Sequence, residues 1–373
     1  MKTWQDIAGV AFLFTAGVAA SVYLGAFPHT ISTTYHIIAS GTILLSSALL
    51  MYSRRRRWDR HVQCGLIAAC VMSCGAFIGM SGVEMQVSEI PPEGPLTIAA
   101  HKAAKGVEAL IGSIPFTNEH TGGSIKALLT GNREDIPQDV AQAFRDSGAS
   151  HILALSGLHL GIIYAVVRFM TRCLGNSQKA KAARSVILIC TCGFYTLATG
   201  AGASIVRAFI FILMGEAARL SGRPAGLRKV MMAALLIHLT IMPSSIKELG
   251  FQLSYAAIAG IAYIFPWLQG FWPGDRHEDA ALTKCARWIW ESAAMSISCQ
   301  ITTGPLAYIY FGTFPTQFIL TNMIALPLTG IIIPMALVTL VTCSMGWNVD
   351  ILINGTEFLV TLLCGSLDLL STM

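Results

Sequence analysis

His151-Ile152-Leu153-Ala154-Leu155-Ser156-Gly157-Leu158-His159-Leu160-Gly161 opens an apolar run that continues to Met170, just ahead of Arg172. Read as one helix rising about 1.5 Å per residue, the run carries His159 roughly 13 Å in from Ser150. In a hydrocarbon layer about 30 Å thick, that is close to the midplane. Ala154, Ser156, Gly157 and Gly161 are small enough to admit a second helix at close range, as helix interfaces in membranes prefer. An imidazole at that depth is costly unless it faces protein or water. The segment therefore reads as the lining of something.

Composition carries the same message outward. Of 373 residues, 54% are hydrophobic and 12% charged, and the mean hydropathy is +0.62. A soluble domain is excluded, and the expected fold is all-α, a polytopic transmembrane helical bundle. Candidate spans are 7–26, 35–52, 62–81, 150–171, 184–199, 203–221, 229–243, 249–270 and 286–304, with two or three more between 306 and 371. That makes about eleven or twelve spans at the length a bilayer requires. Pro305, Pro315, Pro327 and Pro334 interrupt the last of them, which predicts broken or re-entrant helices around a cavity. The first run follows only Lys2 and lacks a clear small-x-small cleavage site, so it is expected to be a retained span.

Three basic clusters orient the chain. They are Arg54 to Arg57 with Arg60; Arg168, Arg172, Lys179, Lys181 and Arg184; and Arg219, Arg223, Arg228 and Lys229. An even number of spans separates each from the next, so all three share a side, the cytoplasm by the positive-inside rule, and the amino terminus lies there too. The net charge of +5 is thus a membrane signature rather than a nucleic-acid footprint. Residues 82–149 then fall outside, with nine acids against five bases. Pro91, Pro92 and Pro95 should keep the start of that stretch extended. Pro137 should open, and Gly148 close, a surface helix with Val140, Ala143 and Phe144 on one face.

Several polar groups stand out. Ser156 and His159 share a helix face and invite a nucleophile-and-base reading, but no Gly-x-Ser-x-Gly elbow and no third member accompany them. A hydrogen bond to a neighbouring helix and a polar pore lining are the other two readings. Arg207 lies about one turn inside the sixth span, and Glu216, nine residues on, is half a turn round the helix from it. Arg207 must snorkel, pair with another helix or face water. Gln252, Ser254, Gln300, Asn322 and Glu357 add polar groups to apolar runs. His238 has no polar company and reads as a core histidine. Tyr255, Tyr308, Tyr310 and Phe311 suit a membrane interface better than base stacking. Cys70 with Cys74 and Cys190 with Cys192 lack metal or redox spacing, the histidines are dispersed, and there is no P-loop. No cofactor, metal or catalysis is expected.

His-x-Leu-Ala-x-Ser-Gly-Leu-His followed by a glycine (151–161) resembles the signature region of bacterial competence membrane proteins of the ComEC type. Leu128-Leu129-Thr130-Gly131-Asn132-Arg133, Phe144-Arg145-Asp146-Ser147-Gly148, Gly250-Phe251-Gln252-Leu253-Ser254-Tyr255-Ala256 and the Asn322 to Pro327 stretch resemble further blocks in order. Arg207-Ala208 matches another. The resemblance implies an inner-membrane channel passing single-stranded DNA inward, with a separate nuclease, delivery or motor proteins, and membrane lipid as partners. It makes Ser156, Gly157, His159, Arg207, Gln252, Ser254, Gln300 and Asn322 candidates for the path, with Arg207 holding a phosphate at the outer mouth. Expected domains are a three-span segment (1–81), an external stretch with surface helices (82–149) and a competence-type channel core (150–373). The family's OB-like and metallo-β-lactamase-like domains have no expected counterpart in these residues, and Met242 precedes Pro243 where the family pattern has an acid. A small-solute or lipid-linked transporter and, further off, an intramembrane hydrolase using Ser156 and His159 are the alternatives.

Overall fold

The computed structural model describes residues 2–24, 29–56, 60–87, 94–153, 156–222, 226–272, 281–312 and 317–371. Expectations resting on Arg57, Pro91, Pro92, Ala154, Leu155, Arg223 and Pro315 lie outside them. No strand occurs among the described residues. The chain opens with α1 (Lys2–Leu24), α2 (His29–Arg56) and α3 (Arg60–Val87). Four shorter helices follow, α4 (Pro95–Ser113), α5 (Glu119–Thr130), α6 (Gln138–Asp146) and α7 (Ser150–Leu153). Next come α8 (Gly157–Met170), α9 (Gln178–Ala198), α10 (Ala203–Leu220), α11 (Leu227–Ile241) and α12 (Leu249–Ala259). A π-helical turn, Gly260–Ile264, leads to α13 (Phe265–Gln269), and the chain closes with α14 (Ala281–Phe311), α15 (Phe318–Ser344) and α16 (Asp350–Ser371).

Seven of these stretches are long and apolar enough to span a bilayer: 35–53, 61–81, 157–174, 178–198, 249–269, 318–344 and 350–371. A shorter apolar helix covers Ala8–Tyr23. The chain is a multi-pass, all-α membrane protein. Helix α10, which carries Arg207, Glu216 and Arg219, and the 15-residue α11 are further apolar helices of the bundle. The prolines act differently from expectation. Helix α14 runs unbroken through Pro305, and α15 through Pro327 and Pro334. In a membrane bundle, neighbouring helices and local adjustment can satisfy the carbonyl each proline frees. The break falls instead inside the quoted run, between α7 and α8, where Ser156 is extended at φ −116°, ψ 170°.

The chain divides into two compact units, 1–92 with 217–255 and 93–216 with 256–373. In the first unit, α3 lies against both α1 and α2, and α11 with the 3-10 turn Pro243–Lys247 closes over α1. A leucine gains little by leaving acyl chains for a protein interior, so cohesion in lipid depends on close approach and polar ties. The α1–α3 seam supplies the first. A methyl group on Gly17 would collide with the Met72 carbonyl, and one on Gly75 with the Phe14 carbonyl. Gly75 and Gly79 make a Gly-x-x-x-Gly pair on α3. Phe14, Val18 and Val22 continue the seam into Leu239, Ile246 and Phe251.

In the second unit α15 is central and lies against α5, α8, α14 and α16. Its buried residues Thr321, Ala325, Thr329, Ile332, Ala336 and Thr339 recur at three- and four-residue intervals, one helix face. Helix α16 answers with Ile353, Thr356, Val360, Leu363 and Leu367. Thr339 Oγ1 and Thr356 Oγ1 stand 3.0 Å apart across that seam. Helix α6 starts after Pro137 and ends before Gly148, whose φ is 78°. Its Phe144 is buried in the same core as α5, α15 and α16.

Candidate functional site

Helix α8 begins with a reciprocal cap. Ser156 Oγ accepts from the Leu158 N–H at 3.3 Å, while His159 Nδ1 accepts from the Ser156 N–H at 3.2 Å. Ser156 Oγ is also 3.1 Å from that Nδ1. This is the capping box, with histidine filling the place usually held by Glu or Gln. His159 therefore sits at the third position of a helix rather than in the middle of one. The unpaired N–H groups and the positive dipole end of α8 lie at this capped start.

Gly157 is where α10 comes close. A methyl group placed on it would lie 3.2 Å from Ala208 Cβ. The same turn of α10 carries Arg207, a guanidinium only 1% exposed. Leu160, Cys192 and Ile205 seal the three helices α8, α9 and α10 together beneath. The fold thus brings Ser156, Gly157 and His159 to one helix start and sets the Arg207 turn beside it.

Asn322 and Gln300 form a second polar locus. Asn322 Nδ2 donates to Ser296 Oγ at 3.4 Å, tying α15 to α14, and Gln300 is one turn along from Ser296. Neither amide is fully used. Gln300 Nε2 and Asn322 Oδ1 are buried without a hydrogen-bond partner, as are His159 Nε2, Thr329 Oγ1, Thr121 Oγ1 and Trp290 Nε1. All six atoms belong to the second unit, on α5, α8, α14 and α15.

Gln252 and Ser254 belong to the first unit. Gln252 Nε2 donates to the Ile246 carbonyl at 2.9 Å and to Tyr23 Oη at 3.4 Å, bracing the 243–247 turn. Ser254 is half-buried. His238 is buried with its ring edge-on to Phe251 at 5.0 Å and beside Tyr255, a core position. Glu357 is a cap: its carboxylate accepts the Thr117 and Asn118 N–H groups at 3.0 and 2.8 Å, just ahead of α5. Tyr308, Tyr310 and Phe311 are exposed on the last turns of α14.

Two arrangements escaped the sequence. Glu216, 3% exposed, accepts from Tyr164 Oη at 2.5 Å and Ser185 Oγ at 2.6 Å, with Arg168 Nη1 3.6 Å away. Arg168 also donates to Tyr164 Oη at 2.9 Å. The Tyr164–Arg168 spacing of four was the only local signal; the carboxylate arrives from 52 residues on. Glu108 accepts from Thr130 Oγ1 at 2.8 Å and Asn132 Nδ2 at 3.3 Å, and Tyr195 Oη donates to the Leu129 carbonyl at 2.8 Å. Together they lock the turn that follows α5, whose Gly131 has φ 82°.

Residues 128–373 match a family model described as "Competence protein". "ComE operon protein 3" of Bacillus subtilis (strain 168) is 32% identical over 150 residues, 38% of this chain and 19% of that protein. "Uncharacterized protein YcaI" of Escherichia coli (strain K12) is 24% identical over 230 residues, 60% of this chain and 29% of that protein. The chain therefore covers less than a third of the length of either relative. No solved structure gives a significant match.

Proposed function

The chain belongs to the competence protein family, and from that premise we propose that its second unit conducts single-stranded DNA inward across a bacterial cytoplasmic membrane. The observation that carries this reading is the set of six buried, unpartnered polar atoms on α5, α8, α14 and α15. A buried polar group without a partner costs roughly 1–3 kcal/mol, and the cost rises in lipid, where water offers no relief. Six such atoms in one unit are hard to explain as glue. They fit the lining of a conduit that is hydrated when open. The α8 start adds oriented N–H groups, and Arg207 adds a guanidinium, both suited to phosphate.

In this account the basic clusters face the cytoplasm, as does the amino terminus, and strands travel toward them. Catalysis plays no part. His159 Nδ1 is engaged by the Ser156 backbone, and Nε2, which a third triad member would hold, has no partner. Strand separation then falls to a separate nuclease, and the driving force to a delivery or motor protein.

A small-solute or lipid-linked transporter is the second reading, favoured by the α7–α8 break, because broken helices build midplane sites in transporters. The two readings part in one experiment. A strain lacking the gene is supplied with linear DNA labelled on one strand, and the label protected from external nuclease is counted. Loss of protected label, restored by the wild-type gene, supports conduction. Full protection in the deletion strain removes it.

A further inference from the structure

Helix α4 has three distinct sides. Ala100, Ala104, Glu108 and Ile111 face the protein, where α4 lies against α5 and α9. At 100° per residue, Leu96, Ala99, Ala103, Val107 and Leu110 fall on one flank, within an 80° arc. Of these, Leu96 is 61% exposed and Val107 36%. Lys102 and Lys105 fall on the opposite flank and are exposed, with Ile98 between them. Leu110 packs against the core and Ile98 is 54% exposed, but the remaining exposed positions sort into an apolar and a basic flank, which contact with protein and water alone does not require. A bilayer surface does, with one flank in the acyl boundary and lysines reaching the phosphates.

The fold places α4 at such a surface. Glu108 bonds to Thr130 and Asn132 beyond the end of α5, and Tyr195, at the last turn of the α9 span, bonds to Leu129. The carboxyl-terminal half of α4 is thereby held level with the end of a membrane span. We propose that α4 lies in the membrane interface, with the Leu96–Val107 flank in the headgroup–acyl boundary of phospholipid and Lys102 and Lys105 at its phosphates. It would form a fixed collar at the end of the α9 span remote from Lys179, Lys181 and Arg184. This inference stands apart from the DNA reading.

Nitroxide labels placed singly at positions 96, 107, 102 and 105 of the full chain, its native cysteines replaced, test it in nanodiscs of mixed zwitterionic and anionic lipid. Labels at 96 and 107 should collide with oxygen more, and with a water-soluble nickel chelate less, than labels at 102 and 105. Nickel reaching 96 and 107 as freely as 105 would overturn the proposal. Leu96→Trp supplies a second readout that needs no cysteine replacement: brominated lipid should quench its added fluorescence, and an unquenched signal counts against α4 as an interfacial helix.

Discussion

The backbone N–H of Ser156 donates to Nδ1 of His159 at 3.2 Å, so the histidine caps the helix it belongs to and leaves Nε2 buried and unpartnered. One ring therefore has two separable tasks. His159→Gln keeps a side chain that can fill the capping box but removes the inward nitrogen. It should reach the membrane at wild-type level and lower DNA uptake. His159→Leu loses the cap as well, at about 0.5–2 kcal/mol, and should also lower the unfolding temperature in detergent. Equal uptake in wild type and His159→Gln would confine His159 to the cap.

The α8–α10 contact predicts a size limit. Gly157→Ala places its methyl group 3.2 Å from Ala208 Cβ, so neighbouring helices must give by a few tenths of an ångström. Gly157→Leu should cost about 1–3 kcal/mol by overpacking, read as thermal stability in detergent. Adding Ala208→Gly should recover much of the loss in Gly157→Ala; no recovery would place the conflict elsewhere.

Glu216 holds α8, α9 and α10 through Tyr164, Ser185 and Arg168. Glu216→Ala strands the buried Ser185 hydroxyl, the half-buried Tyr164 hydroxyl and a guanidinium. Its cost should be about 2 kcal/mol, below the ~3–5 kcal/mol of fully buried pairs, because Arg168 is 37% exposed and partly screened by water. Glu216→Gln should cost less, since an amide oxygen still accepts one hydroxyl. Equal stability of all three proteins would show that this cluster carries no structural load.

Orientation is testable with residues in exposed places. Single cysteines at Asp135 and Lys181, in a chain freed of its own, should react with an impermeant maleimide differently. In intact spheroplasts Asp135→Cys should label, and Lys181→Cys only after lysis. The reverse pattern would invert the direction of passage.

The helical, multi-pass class was legible because apolar runs of spanning length need no partner to be recognised. The break at Ser156 was also written locally, as Ser-x-x-His, but an apolar run on both sides concealed a cap signal normally ending in Glu or Gln. Pro305, Pro327 and Pro334 misled in the opposite way, since membrane helices tolerate proline that soluble ones reject. The Gly75-x-x-x-Gly79 seam could have been read and marks the close α1–α3 approach. Nothing local could join Glu216 to Tyr164 and Ser185, 52 and 31 residues away, or assign Gln252 to a different unit from Asn322. Those are products of the tertiary fold.

The central claim, that strands pass through the interior of the second unit, is tested most directly by trapping one in transit. Asn322 and Ile331 are nine residues apart on α15 and so face opposite ways; Asn322 touches Ser296, whereas Ile331 is 54% exposed. A photoreactive group attached to Asn322→Cys, irradiated during uptake, should crosslink to the labelled strand, while the same group at Ile331→Cys should not. Crosslinking at 331 alone, or none at 322 while uptake proceeds, would contradict the account.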